Sequence, residues 1–105
     1  MEIIETSIFT HQVQELLSEE EYRLLQIALI QHPESGDLIP HSGGLRKKRW
    51  SIGGRGKRGG TRVIYYWAVV RKQILLLMIY AKNEQDDLTP TQLTMLRMII
   101  EEEYS

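Results

Sequence analysis

A chain of 105 residues with a 42% apolar fraction fits one folded domain, and the absence of cysteine excludes both a disulfide framework and a thiolate metal site. The opening MEIIET is acidic, and no apolar run is long enough for a signal peptide or a membrane span, so a cytoplasmic protein without membrane contact is expected. Net charge is only −1, yet eleven of the 13 Lys and Arg lie between Leu38 and Asn83, where none of the 14 Asp and Glu occur.

In chain order, Glu2 to Glu5 suits a short strand, and Ile8, Val13, Leu16 and Leu17 suit a helix after it. The run SEEE from Ser18 to Glu21 is a capping box opening a second helix, with Tyr22, Leu25, Ala28 and Leu29 on one face. Pro33 disfavours the helical conformation at His32 and ends that helix near Gln31. Glu34 to Gly44 reads as a loop, and Leu45 to Ile52 as a strand with Arg46, Lys48 and Trp50 on one face and Lys47 and Arg49 on the other. Gly53 to Gly60 is a basic glycine-rich turn.

Arg62 to Val70 is the strongest strand, apolar on both faces and therefore central in a sheet. A turn at Arg71 to Gln73 leads to a strand from Ile74 to Tyr80. Thr89, Pro90 and Gln92 supply an N-cap, a first helical residue and a second capping box for a last helix that buries Leu93, Leu96 and Ile100. The expected class is α+β: an N-terminal strand and two helices, then a curved, mainly antiparallel sheet, then a C-terminal helix, in a single domain over residues 1–105.

Charge sorting of this kind points to a surface for a polyanion, against the plainer reading of a solvated strand face. The glycines of the turn let its amides and Arg55, Lys57 and Arg58 approach a phosphate closely. It is not a P-loop: Ser51 stands where the first glycine of that motif belongs, and Arg58 where Ser or Thr belongs. His11, His32 and His41 are too scattered for a metal motif, so neither metal nor other cofactor is expected.

The runs GDLIPHSGGLRKKRW (Gly36 to Trp50), GKRGGTRVIYY (Gly56 to Tyr66) and IYAKNEQDDLT (Ile79 to Thr89) resemble the RelE/ParE superfamily of bacterial toxins from type II toxin–antitoxin systems, nearest its HigB-like branch. The resemblance covers nearly the whole chain. It implies a fold related to microbial ribonucleases and a ribosome-dependent endoribonuclease, an mRNA interferase acting by metal-independent 2′-hydroxyl attack. It also implies a cognate helix-turn-helix antitoxin, through which alone DNA is contacted, and a toxin that is monomeric when free. On this reading Arg62 holds the scissile phosphate, with Lys57, Lys82 and Tyr80 as catalytic candidates. Arg46, Lys48, Arg55, Arg58 and Asn83 are candidates for RNA binding. Two other functions fit less of the sequence: a ParE-like gyrase inhibitor, which has no need of a phosphate-binding surface, and a non-catalytic RNA-binding module.

Overall fold

The computed structural model describes residues 1–51 and 60–104. Strand β1 (Glu2–Glu5) leads through Thr6 into α1 (Ser7–Leu16), where the Thr6 side chain accepts from the Phe9 amide and caps the helix. Ser18 and Glu21 form the expected capping box of α2 (Glu19–Gln31), each side chain accepting from the other's amide. Then come β2 (Asp37–Leu38), β3 (Leu45–Trp50), β4 (Thr61–Ala68), β5 (Gln73–Ala81) and α3 (Pro90–Tyr104). Thr89 and Gln92 close the second capping box, at 3.0 and 3.1 Å.

The sheet order is β1-β5-β4-β3-β2. All neighbours are antiparallel except β1 and β5, which the α1–α2 pair and the intervening strands connect in parallel. β4 is thus central, as its two apolar faces require. Its end differs from expectation: it stops at Ala68, and Val69 and Val70 are exposed in the turn, where the Lys72 amide bonds back to Val69. Lys72 sits there at φ 54°, a left-handed residue that reverses the chain. The two-residue β2 also lies within what the sequence marks as loop.

Two cores sandwich this sheet. Phe9, Val13 and Leu17 of the first helix and its exit, with Leu25 and Leu29 of α2, pack on Val63, Tyr65, Ile74, Leu76 and Ile79. On the opposite face, Leu96 and Ile100 of α3 pack on Leu45, Ile64, Leu75, Leu77, Met78 and Tyr80. The α3 end is pinned at one edge of that face, where Tyr104 packs on Tyr66 with ring centroids 5.1 Å apart and donates to Gln73.

Candidate nucleic-acid interface

Side chains alternate along β5 until residue 77, and then the alternation slips. Leu75 and Leu77 face α3 while Ile74 and Leu76 face α1 and α2, yet Met78 and Tyr80 also face α3. The register shows why: Ile64 pairs with Met78 but Tyr65 pairs with Leu76, so Leu77 is an extra residue and β5 carries a bulge. Without it, Tyr80 would point into the α1–α2 core. The bulge instead aims Tyr80 at the face that carries Arg62.

That re-aiming completes a row. Arg49 of β3 is the cross-strand partner of Arg62, and Arg62 is the partner of Tyr80 on its other side. Two arginines and a tyrosine therefore stand abreast across three strands on the α3 side. Arg49 is exposed, whereas Arg62 and Tyr80 are 7% and 6% exposed. The Arg62 guanidinium donates to the Thr61 carbonyl at 3.2 Å among its contacts. A single wall thus carries a solvent-facing cation, a buried cation and a buried hydroxyl.

The loop from β5 to α3 borders this row with both signs of charge. Lys82 is ion-paired with Asp86, and Lys47 of β3 meets Asp87 at 3.3 Å. Asp87 also accepts from the Leu88 amide at 2.8 Å, and Gln85 bridges the Asp87 carbonyl and the Gln92 side chain. The Tyr80 hydroxyl has no hydrogen-bond partner, the one such buried side-chain oxygen or nitrogen among the described residues. Burial pushes its pKa above the ordinary tyrosine range and the Asp87 carboxylate adds to this; Arg62 pulls the other way. At neutral pH it is a proton donor without an acceptor.

Gly60 fixes the end of the sheet where this happens. At φ +59° it lies in the left-handed region, and a Cβ there would stand 2.8 Å from the Trp50 carbonyl oxygen and 2.9 Å from the Ser51 Cα. Its carbonyl accepts from the Lys82 amide at 3.1 Å, drawing the β5 exit toward the base of β4. Lys57, Arg55 and Arg58, expected at this site, lie outside the described residues.

The structure gathers Arg62, Tyr80 and Lys82 at one end of the sheet and leaves Asn83 exposed on the turn beside them. It does not bring Arg46 and Lys48 to that face. They alternate onto the α1–α2 side, where Arg46 donates to the Glu34 and Gly36 carbonyls at 3.0 and 2.8 Å and Lys48 donates to Ser35 at 3.0 Å. Their neighbours Lys47 and Arg49, grouped by alternation but not singled out from sequence, hold the positions beside Arg62. Alternation pairs them with each other; only the β3–β4 register says that their face is also that of Arg62. Asp86 and Asp87 are likewise legible only in space. Among the described residues no cluster of His, Asp and Glu is arranged to hold a metal, and no helix is long and apolar enough to cross a membrane.

Residues 4–104 match the family described as the RelE toxin of the RelE/RelB toxin–antitoxin system. Among solved structures, an E. coli RelE toxin carrying two arginine-to-alanine substitutions, in the free state, superposes with a TM-score of 0.58 at 11% identity. That likeness covers 81% of this chain and 86% of the E. coli one, and it is a likeness of fold.

Proposed function

The chain belongs to the RelE toxin family, and from that premise we propose that it is a ribosome-dependent mRNA endoribonuclease of the HigB-like branch, restrained by a cognate helix-turn-helix antitoxin and acting in the cytoplasm where ribosomes are. The observation that carries the reading is the Arg49–Arg62–Tyr80 row. Cleavage by 2′-hydroxyl attack builds negative charge on a pentacovalent phosphate and expels a 5′-oxygen that needs a proton. Arg62 and Arg49 offer two fixed guanidinium groups to the phosphate oxygens, and a guanidinium fork matches that geometry better than an ammonium. Arg62 is already buried, at 7% exposure, so its charge is screened little by water.

Tyr80 supplies the proton. Its hydroxyl is neutral, unpartnered and raised in pKa, so a departing 5′-oxygen is a better partner than anything the free protein offers it. The hydroxyl is closed to water, and the leaving oxygen reaches it as RNA binding opens the site slightly. Lys82, Asn83, Lys57, Arg55 and Arg58 add charge and donors along the RNA near the broken bond. Arg46 and Lys48 contact RNA backbone farther off, from the other side of the sheet edge. An open wall of this kind positions a substrate poorly by itself, and the ribosome provides the missing orientation.

The test is cleavage of a defined mRNA in a translation extract, with 5′ ends mapped by primer extension. Codon-periodic cuts that vanish without ribosomes support the proposal. Absence of cuts together with inhibited gyrase supercoiling would replace it with the ParE-like function, and absence of both with ribosome binding retained would leave a non-catalytic module.

A further inference from the structure

The 2′-hydroxyl must lose a proton, and the charge states around the row restrict which group takes it. Arginines stay protonated at any pH the protein meets, which removes Arg49 and Arg62. Lys47 and Lys82 each point their ammonium at a carboxylate, Asp87 and Asp86, so both nitrogens are engaged as donors. Tyr80 holds its proton. His11, His32 and His41 are no alternative: His11 pairs with Glu15 on α1, His32 sits by Glu34, and His41 is exposed on the β2–β3 loop. On the loop that borders the row, the carboxylates of Glu84, Asp86 and Asp87 remain with a lone pair to offer.

The three differ in how they are held. Glu84 is an exposed side chain on the turn, and Asp86 is 88% exposed with Lys82 as its partner. Asp87, 67% exposed, is held by more bonds. Its Oδ1 accepts from both Lys47 and the Leu88 amide, and its carbonyl accepts from Gln85, which is itself bonded to Gln92 of the α3 capping box. These bonds spend Oδ1 and leave Oδ2. They also draw the loop that follows β5 across β4 to reach Lys47 on β3, on the side of the sheet that carries Arg62.

We propose that Asp87 is the general base of the reaction, an inference that rests on the nuclease reading above. Asp87 Oδ2 accepts the 2′-hydroxyl proton as the 2′-oxygen forms its bond to phosphorus. The bond from phosphorus to the 5′-oxygen breaks, and the Tyr80 hydroxyl gives its proton to that oxygen. The products are a 2′,3′-cyclic phosphate and a 5′-hydroxyl end; Asp87 returns its proton to solvent and Tyr80 regains one. Lys47 fixes the carboxylate in direction.

The experiment compares wild-type protein with Asp87→Asn and Asp87→Glu in the ribosome-dependent assay, reading single-turnover cleavage at saturating ribosomes and neutral pH. The groups facing Asp87 are Lys47 from β3, Tyr80 from β5 with Arg62 behind it, and Asp86 on its own loop. Asparagine keeps an Oδ1 acceptor for Lys47 and Leu88 and removes only basicity. The expected result is a loss of about a hundredfold at neutral pH for Asp87→Asn, with ribosome co-sedimentation retained, and partial recovery with Asp87→Glu. Asp87→Asn cleaving within about threefold of wild type overturns the assignment while leaving the nuclease reading standing. A wild-type protein that cuts nothing overturns the reading itself. Should Asp87→Asn fail to fold by circular dichroism, Asp87→Glu decides alone: cleavage lowered by about tenfold or more with ribosome co-sedimentation retained supports a base whose position matters, and cleavage equal to wild type removes it.

Discussion

Two buried tyrosines sit on opposite faces of the same sheet, and they are satisfied in opposite ways. Tyr65, on the α1–α2 side, donates to the Pro33 carbonyl at 2.7 Å and accepts from the Gly36 amide at 2.8 Å. Tyr80, on the α3 side, has no partner for its hydroxyl. Leaving a buried hydroxyl unpaired costs about 1–3 kcal/mol, and the fold bears that cost on one face only. The cations follow the same division. On the first face Arg46 and Lys48 bind the 34–36 segment and hold it against the sheet. On the second, Arg49 and Arg62 stand side by side with the unsatisfied hydroxyl. One face is finished as structure, and the other is left chemically incomplete.

The largest effect that tests this contrast is on the incomplete face. Arg62→Ala is expected to lower ribosome-dependent cleavage by about a thousandfold, the scale of losing a fixed donor to a developing anion. Arg62→Lys should recover only part of it, because an ammonium lacks the planar fork. Full cleavage by a folded Arg62→Ala protein would remove the row from the mechanism. Next in size is Tyr80→Phe, with cleavage falling about a hundredfold and thermal stability held or raised by up to about 1 kcal/mol. A drop in stability with unchanged cleavage would make Tyr80 a core residue like Tyr65.

Tyr65→Phe should do the reverse. It strands the Pro33 carbonyl and the Gly36 amide and is expected to cost about 1–3 kcal/mol of stability, with a codon pattern of cleavage like that of wild type. Gly36→Ala attacks the same contact from the other side, since a Cβ there would stand 2.8 Å from the Tyr65 ring and hydroxyl. Melting temperatures of the two variants should fall together. Alkali addresses both faces at once. Burial raises the pKa of Tyr65 and Tyr80 above the ordinary value of 10.0, so folded protein holds these protons more tightly than unfolded chain. The associated stability is complete below about pH 10 and is lost as pH rises through the folded values. Denaturant midpoints should therefore be flat from about pH 7 to 9 and drop beyond 10, and Tyr80→Phe should make that drop shallower.

The elements themselves were written locally. Both capping boxes, the stop before Pro33 and the central position of β4 rest on residues a few positions apart, and all appear in the structure. The candidate site showed in the sequence as a charge anomaly, to which the resemblance added Arg62, Lys82 and Tyr80 as expectations. It was not legible as an arrangement, because three non-local facts build it. The β3–β4 register puts Arg49 rather than Lys48 beside Arg62. The bulge at Leu77 turns Tyr80 to that face, where strict alternation along Ile74, Leu76 and Met78 would have sent it into the other core. Finally, Asp87 reaches Lys47 across forty positions of sequence. Nothing in a local window encodes a register or a one-residue slip.

The smallest expected effect bears on whether the finished face has a part in binding. Lys48 contacts Ser35 and lies 5.9 Å from the Trp50 ring centre, an exposed arrangement that contributes little to stability. If its charge meets RNA backbone at the sheet edge, Lys48→Ala should raise the ribosome concentration for half-maximal cleavage about two- to fivefold. It should also make the dependence of binding on log salt shallower by about one unit. Arg46→Ala reports differently, because its guanidinium holds two backbone carbonyls and its loss loosens the 34–36 segment as well. Equal salt slopes for wild type and Lys48→Ala would confine RNA to the α3 side. The division between the faces would then be complete, with the cations of one serving only the fold and those of the other only the substrate.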